Sequence, residues 1–408
     1  MLFGFNRYSA LLLIFFVHGL VYAFLLAQRS VREGRRADGW LAAFLVLCVL
    51  HITPWMVGFA GWYGTQPYRD LLFYVPFQHL FALGPVVFFY TQSLLNPSWR
   101  FTRRSALHLV PAALYLVYTT VVFAVDKMVV HRYLLMDGQS DPDFDTWYQA
   151  LGFVSMLAYT LLSLRYYRLY RRLMLQVTSF AEHIRFPWVR PFLLSFSGML
   201  LLRALFFVLS LLGYDDYSDS WWYFFGFALL YYYIAIRGYG NTQRPPVAYK
   251  PLLAEQKAVL LLPAPGAAGG EFYVAEEEAI VVDAEPALST SGAADPELTA
   301  WIEKVESMMH DKVPWKDAEL NLTALALRLG MPGAQLSRII NKGFGCNFND
   351  FVNGYRVRAV QEAIRAGEHR RQTLLGIAYD CGFNSKATFN RAFVRQTGKN
   401  PSAFAKEG

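Results

Sequence analysis

The chain has 408 residues and a net charge of +7; it is 55% hydrophobic and 17% aromatic, but only 17% charged. Soluble domains carry nearer about one quarter charged residues, so a single aqueous environment does not suit this chain. Its three cysteines show neither a disulfide framework nor a zinc spacing.

The apolar excess lies before about residue 240. Seven segments stand out, at about residues 8–27, 39–60, 70–91, 105–126, 147–167, 191–213 and 220–237. Each is long enough to cross roughly 30 Å of hydrocarbon as a helix. Only Arg7 precedes the first, and further spans follow, so a cleaved signal peptide is not expected. With the N-terminus outside, the arginine-rich loops RSVREGRRAD, NPSWRFTRR and RYYRLYRRL…EHIRFPWVR fall inside. The acidic DGQSDPDFD and DDYSD then fall outside, which is the positive-inside pattern. The expected architecture is a seven-helix transmembrane bundle, N-out and C-in, multi-pass and surrounded by membrane lipids. Trp40, Trp62, Trp99, Trp147, Trp188, Trp221 and Trp222 sit at span edges, as interfacial anchors do.

Four polar side chains fall near span centres: His18, His51, His79 and Arg203. Intramembrane charge is costly and normally faces a partner or a cavity. One reading is hydrogen bonding between helices. The other is a pocket for a small-molecule signal, anionic because Arg203 is fixed positive. A metal or haem held by the three histidines finds no supporting ligand spacing, so neither metal nor cofactor is expected. Pro54, Pro76, Pro85 and Pro111 are expected to kink spans. The residues show no internal repeat of the kind transporters use, and no nucleophile arrangement of the kind enzymes use.

Residues 241–296 change character. TQRPPVAYKP, PAPGAAGG and ALSTSGAADP read as a flexible linker, acidic overall, with short strands as an option in KAVLLLPA and EFYVAEEEAIVVDAE.

Residues 297–408 carry 16 Lys/Arg against 11 Asp/Glu, which suits a polyanionic partner. Leu298, Ile302, Val305 and Met309 predict an amphipathic helix. Asn321 is placed to cap a helix over Leu322–Leu329, Gly330 to stop it, and a second helix is predicted over Gly333–Lys342. Two short helices around a glycine turn form a helix-turn-helix. Leu325, Ala326, Leu329, Leu336, Ile339 and Ile340 would be its core, leaving Gln335, Arg338, Asn341 and Lys342 to reach bases or phosphates. A linking helix follows, with Phe348, Phe351, Val352, Tyr355, Val360 and Ile364 on its apolar stripe and Arg356 and Arg358 facing phosphate or water. The pattern then repeats, with a recognition helix predicted over Ser385–Gln396. Ile377, Ala378, Phe383, Phe389 and Phe393 form the second core, while Lys386, Ala387, Asn390, Arg391 and Arg395 lie mostly outside it. Asn400 and Pro401 start a final helix.

LSRII, GCNFNDFVNGYRVRAVQEAI and IAYDCGFNSKATFNRAFVRQTGKNPSAF make residues 297–406 resemble the DNA-binding domain of the AraC/XylS family of bacterial transcription regulators. The resemblance implies two helix-turn-helix units joined by one helix, with the two recognition helices in successive major grooves of double-stranded DNA. It implies reading positions at Gln335, Arg338, Lys386, Ala387 and Asn390, and a structural pairing for Arg391. Where that family often has Ser-Pro before the first recognition helix, this chain has MPGAQ, so Pro332 replaces a side-chain cap and the first unit is expected to contribute less base specificity. The first 240 residues resemble membrane-embedded variants of the family in layout only.

The expected function is a membrane-bound, sequence-specific transcription regulator, not an enzyme, that couples a signal in the transmembrane domain (1–240) through the linker (241–296) to the reader (297–408). A homodimer is expected because two readers held together raise effective concentration. Two alternatives stay open at this stage: a receptor whose C-terminal domain binds a protein, and a membrane enzyme or carrier with a regulatory tail.

Overall fold

The structure is a computed structural model that describes residues 4–96, 98–136, 141–179, 188–213, 217–241, 248–251, 258–262, 280–283 and 296–407. Two compact units divide the chain. The first comprises Met1–Leu95, Trp99–Tyr167 and Phe186–Arg244; the second comprises Asn96–Ser98, Arg168–Arg185 and Pro245–Gly408.

In the first unit, α1 (Arg7–Glu33) starts on Asn6, whose side chain accepts from the Tyr8 and Ser9 amides. It turns through Gly34, at φ 66°, into α2 (Arg36–Phe59). The two helices pack closely enough that a side chain at Gly19 would run into Val49. The loop arginines also stabilise this turn: Arg29 and Arg35 lie 2.6 and 3.1 Å from the buried Asp38 carboxylate.

The third apolar segment is not one helix. It forms α3 (Tyr68–Tyr74) and α4 (Leu80–Leu95), with residues 75–79 non-helical between them. Pro76 cannot donate a main-chain hydrogen bond. The amides that follow it, outside any helix ladder, are taken by Asp143, whose carboxylate accepts from Phe77 N at 2.6 Å and Gln78 N at 2.8 Å. Tyr148 closes the break from the other side, its hydroxyl donating to Gln78 O and accepting from Leu80 N.

The fourth segment is continuous. α5 (Arg103–Ala106) runs through a 3₁₀ turn into α6 (Val110–Phe123) and ends in a π-helical turn, Ala124–Val129. Next come α7 (Thr146–Val177), α8 (Val189–Leu211) and α9 (Tyr217–Tyr239). Among the described residues, five helices are long and apolar enough to cross a membrane: Arg7–Glu33, Arg36–Phe59, Arg103–Val129, Thr146–Val177 and Val189–Leu209. α4 is apolar but 16 residues long. α9 has the length, at 23 residues, but its many tyrosines and tryptophans lower its hydropathy.

In the second unit, three short strands, β1 (Ala248–Pro251), β2 (Ala258–Leu262) and β3 (Ile280–Asp283), pair antiparallel in the order β1-β2-β3. β2 and β3 lie in the two stretches read as strand-forming. β1, by contrast, falls in TQRPPVAYKP, a stretch read as flexible linker, and pairs with β2; apart from Asn241, Pro296 and these strands, residues 241–296 lie outside the described residues. Helices α10 (Pro296–Asp311), α11 (Leu322–Leu329), α12 (Gly333–Gly343), α13 (Phe348–Arg365), α14 (Leu374–Asp380), α15 (Lys386–Thr397) and α16 (Pro401–Glu407) complete the unit. α11–α12 and α14–α15 are two helix-turn-helix pairs, and α13 joins them.

Candidate nucleic-acid interface

Each pair is held by the core that periodicity picks out. Leu325, Ala326, Leu329, Leu336, Ile339 and Ile340 are buried, and so are Ile377, Ala378, Phe383, Phe389 and Phe393. The turn glycine of the second pair is required in two ways. Gly382 adopts φ 85°, and a Cβ there would lie 2.4 Å from the Trp315 carbonyl.

The two recognition helices start differently. Ser385 caps α15 by accepting from the Thr388 amide at 3.2 Å. At α12 the capping position is Pro332, with no side-chain bond, which agrees with the departure read from MPGAQ. Uncapped first-turn amides remain available to a phosphate or water.

Packing the apolar faces inward leaves a polar face on each recognition helix. On α12, Arg338 and Lys342 are exposed, while Gln335 and Asn341 are half-buried. On α15, Lys386, Ala387, Asn390, Arg391 and Arg395 are all exposed. Arg395 is engaged within the domain, with Nη1 2.6 Å from Asp350 Oδ1 on α13. That partner makes Arg395 a bridge between helices as well as a surface cation.

Residues 325–407 match the family model described as a helix-turn-helix domain. The C-terminal segment is a helix-turn-helix domain of the AraC type. Over 109 residues this chain is 28% identical to a protein of Proteus vulgaris named "Probable transcription factor PqrA", an alignment covering 25% of this chain and 87% of that protein. No solved structure matches the chain.

Two expectations for the helix-turn-helix domain change. Arg356, read as facing phosphate or water, is buried, at 1% exposure. It reaches across the domain, with Nε donating to Trp315 O at 2.8 Å and Nη2 to Asp317 O at 2.7 Å. Burial pulls its pKa down to about 10, which leaves it charged at neutral pH. The physical reason is packing: α13 is covered on this side by the segment before α11, whose main-chain oxygens need a donor. Tyr355, placed on the apolar stripe, is only half-buried. Arg358 is exposed, as expected, and stacks over the Tyr355 ring at 4.3 Å.

Of the four intramembrane polar groups, the structure brings two together. His51 Nε2 lies 3.1 Å from the Tyr223 hydroxyl, which also accepts from Arg203 Nη1 at 3.3 Å. A small cavity of about 10 Å³ is lined by His51, Arg203 and Tyr223. His18 lies elsewhere, packed at a tilt against Tyr22 and Tyr232 with centroids 4.4 and 4.1 Å away. His79 sits in the break ahead of α4 and does not line that cavity. Among the described residues, no three His, Cys, Asp or Glu side chains group as metal ligands. Sequence reading missed Tyr223, since nothing separates it from the many interfacial aromatics around it. It also missed Asn349 and Asn353. Their spacing of four, with Arg356 three further on, does mark one polar face of α13.

Proposed function

We propose that the chain is a multi-pass protein of the bacterial inner membrane whose cytoplasmic helix-turn-helix domain binds specific double-stranded DNA and regulates transcription. Residues 1–240 are the sensor in this reading. The observation that carries it is the pair of recognition helices, each with a buried apolar face and an exposed face bearing cations or amides. The printed name of the Proteus vulgaris relative supports the same role. Phosphate contacts would position the domain, and Gln335, Arg338, Lys386, Ala387 and Asn390 would read bases, with Asn341, Lys342 and Arg391 beside them.

Membrane residence is supported by five long apolar helices. Their outward faces carry large apolar groups, including Phe24, Val154 and Leu201, each at least 60% exposed. Loop charge gives the C-in orientation, and the fold extends that assignment to the C-terminal domain. Residues Arg168–Arg185, in the loop assigned to the cytoplasmic side, fall in the same compact unit as the helix-turn-helix domain. A loop and a domain that share one unit share one side of the bilayer.

Signal sensing is assigned to the His51–Tyr223–Arg203 cluster, with Arg203 favouring an anionic group. A cavity of about 10 Å³ has room for about one water, so a larger signal requires the helices to part. His18 and His79 are outside this cluster. Pairing of two chains would increase occupancy at paired half-sites.

The test is footprinting and chromatin capture with the full chain in its native membrane. Specific protected sites whose affinity falls steeply with salt are expected, because neutralised phosphates release counterions. Binding to a protein, insensitive to salt and with no protected site, would replace this reading.

A further inference from the structure

We propose that the polar face of α13 formed by Asn349, Asn353 and Arg356 is a docking surface, and that its occupant is Thr178–Ser179 of the same chain, immediately after α7. The contact lies within the second compact unit, which α7 enters at Arg168.

Main chain meets main chain first. Thr178 stands opposite Asn321 in an isolated antiparallel bridge. Ser179 N donates to Leu320 O at 3.2 Å, and the Ser179 hydroxyl donates to the same carbonyl at 2.7 Å. The face of α13 then supplies donors. Asn349 Nδ2 donates to Thr178 O at 3.1 Å, and Asn353 Nδ2 to Ser179 O at 3.3 Å. Arg356 Nη1 reaches Ser179 O at 3.4 Å, and its Nη2 donates to Ser179 Oγ at 3.1 Å. Asn349, Asn353, Arg356, Thr178 and Ser179 are all buried.

The chemistry of the two sides explains the match. A helix ends with carbonyls that have no intrahelical donor, and its C-terminus carries partial negative charge. The end of α7 offers such oxygens, and the face of α13 offers two amide NH₂ groups and one guanidinium, all donors. The other hydrogen bonds of Arg356 go to Trp315 O, Asp317 O and Asn353 Oδ1, so among the described residues the oxygens it bonds are neutral. Withdrawing Thr178–Ser179 would strip acceptors from a buried cation and from two buried amides, which is strongly unfavourable.

The contact leaves the DNA face open. Arg338, Lys386 and Asn390 are exposed and make no bond to Thr178 or Ser179. Thr178–Ser179 is therefore a clasp that holds the helix-turn-helix domain to the end of α7, not a plug over its recognition helices. Its use in regulation rests on the function proposed above; the docking itself does not.

A disulfide tests it. Ser179 N bonding to Leu320 O marks Thr178 and Asn321 as a non-hydrogen-bonded pair, the closer kind in an antiparallel ladder and within reach of a disulfide. The full chain, in membranes, receives Thr178→Cys and Asn321→Cys together with a protease site inserted between residues 284 and 295. After mild oxidation and cleavage without DNA, the domain is expected to stay with the membrane pellet even through a denaturing wash, and to leave in that wash only when the disulfide is reduced. Adding Asn349→Ala and Asn353→Ala should slow disulfide formation at least tenfold. Because Asn321 caps α11, a second pair, Thr178→Cys with Asn349→Cys joined by a short thiol crosslinker, keeps that cap. Release of the oxidised domain in both pairs overturns the clasp, and an unchanged rate in the double-alanine variant overturns the role of the α13 face. Neither readout depends on DNA binding, so the failure of one proposal is distinguishable from the failure of the other.

Discussion

Arg395 on the second recognition helix and Asp350 on the linking helix form an ion pair at 2.6 Å, which ties the helix that would read DNA to the helix that sets its position. The arginine side chain is 73% exposed, so the pair is worth little as a stabiliser, about 0.2–1 kcal/mol. Its geometric effect is larger than its energy, because it fixes a cation at one end of the polar face of α15. Arg395→Ala is expected to leave thermal unfolding nearly unchanged and to weaken specific and non-specific DNA equally, about two- to fivefold. A loss confined to one base position, measured on a library of single-substitution sites, would instead make Arg395 a direct reader.

The exposed faces of α12 and α15 predict two kinds of loss. Arg338→Ala and Asn390→Ala should weaken the specific site by about 1–3 kcal/mol while relaxing the preference at one base pair. Lys342→Ala, exposed beside those readers, should weaken all sequences alike and reduce the salt slope by about one. Titrations of the full chain at several salt concentrations separate the classes. If all three substitutions leave affinity unchanged, the recognition faces do not touch DNA.

The unequal caps give a prediction local to each unit. Ser385→Ala removes the acceptor for the Thr388 amide and should cost about 1 kcal/mol. Pro332→Ser supplies the acceptor that α12 lacks and should gain a fraction of that, because loss of the proline ring loosens the unfolded chain. Hydrogen exchange shows both effects: first-turn amides of α12 should exchange faster than those of α15 in the native chain, and Pro332→Ser should narrow the gap. Equal exchange in the native chain contradicts the capping argument.

The C-terminal domain was legible because its signals are local. Asn321, Gly330 and the apolar spacing of α11 and α12 lie within a few residues of the atoms they organise, and the helix bounds agree to about one residue. The third apolar segment was not legible as two helices. Hydropathy cannot see that Phe77 and Gln78 lend their amides to Asp143, which is remote in sequence. Arg356 was misplaced for a related reason. Arginine spacing on a helix reports a face, but not that Trp315, Asp317 and Ser179 oxygens will close over it. Among the four membrane polar groups, sequence placed each near a span centre, but facing depends on helix rotation, and only His51 and Arg203 share a partner.

Cysteine chemistry provides a topological test with a built-in pH dependence. Burial first, then the nearby Asp350 carboxylate, raises the Cys346 thiol to about 11, and burial raises Cys381 to about 11 as well. The thiolate is the reactive form, and its fraction grows about tenfold per pH unit below that value. Both native thiols should therefore label slowly at pH 7 even where reagent has access, and faster at pH 9. A cysteine placed at Glu306, which is exposed, gives a fast reporter. With the C-terminal domain inside, a membrane-impermeant reagent should label Glu306→Cys only after the cells are opened. Labelling of intact cells would place the domain outside and end the gene-control reading.

The Tyr223 hydroxyl links His51 and Arg203, so the sensing proposal is tested on that hydroxyl and on the cation. Tyr223→Phe keeps the ring and its packing against Phe224 and Phe227 but removes the oxygen that both partners use. That leaves Arg203 without the acceptor it has here, a local cost of about 1–3 kcal/mol. Arg203→Leu removes the cation itself. If the cluster senses an anionic signal, Arg203→Leu should abolish the response in a reporter assay, and Tyr223→Phe should shift the signal concentration needed by about tenfold or more. Membrane insertion, read from fractionation and from the Glu306→Cys reporter, should be normal in both. A helix-to-helix bond without a sensing role makes the opposite prediction: response is retained in correctly inserted protein, and only the amount of folded chain falls.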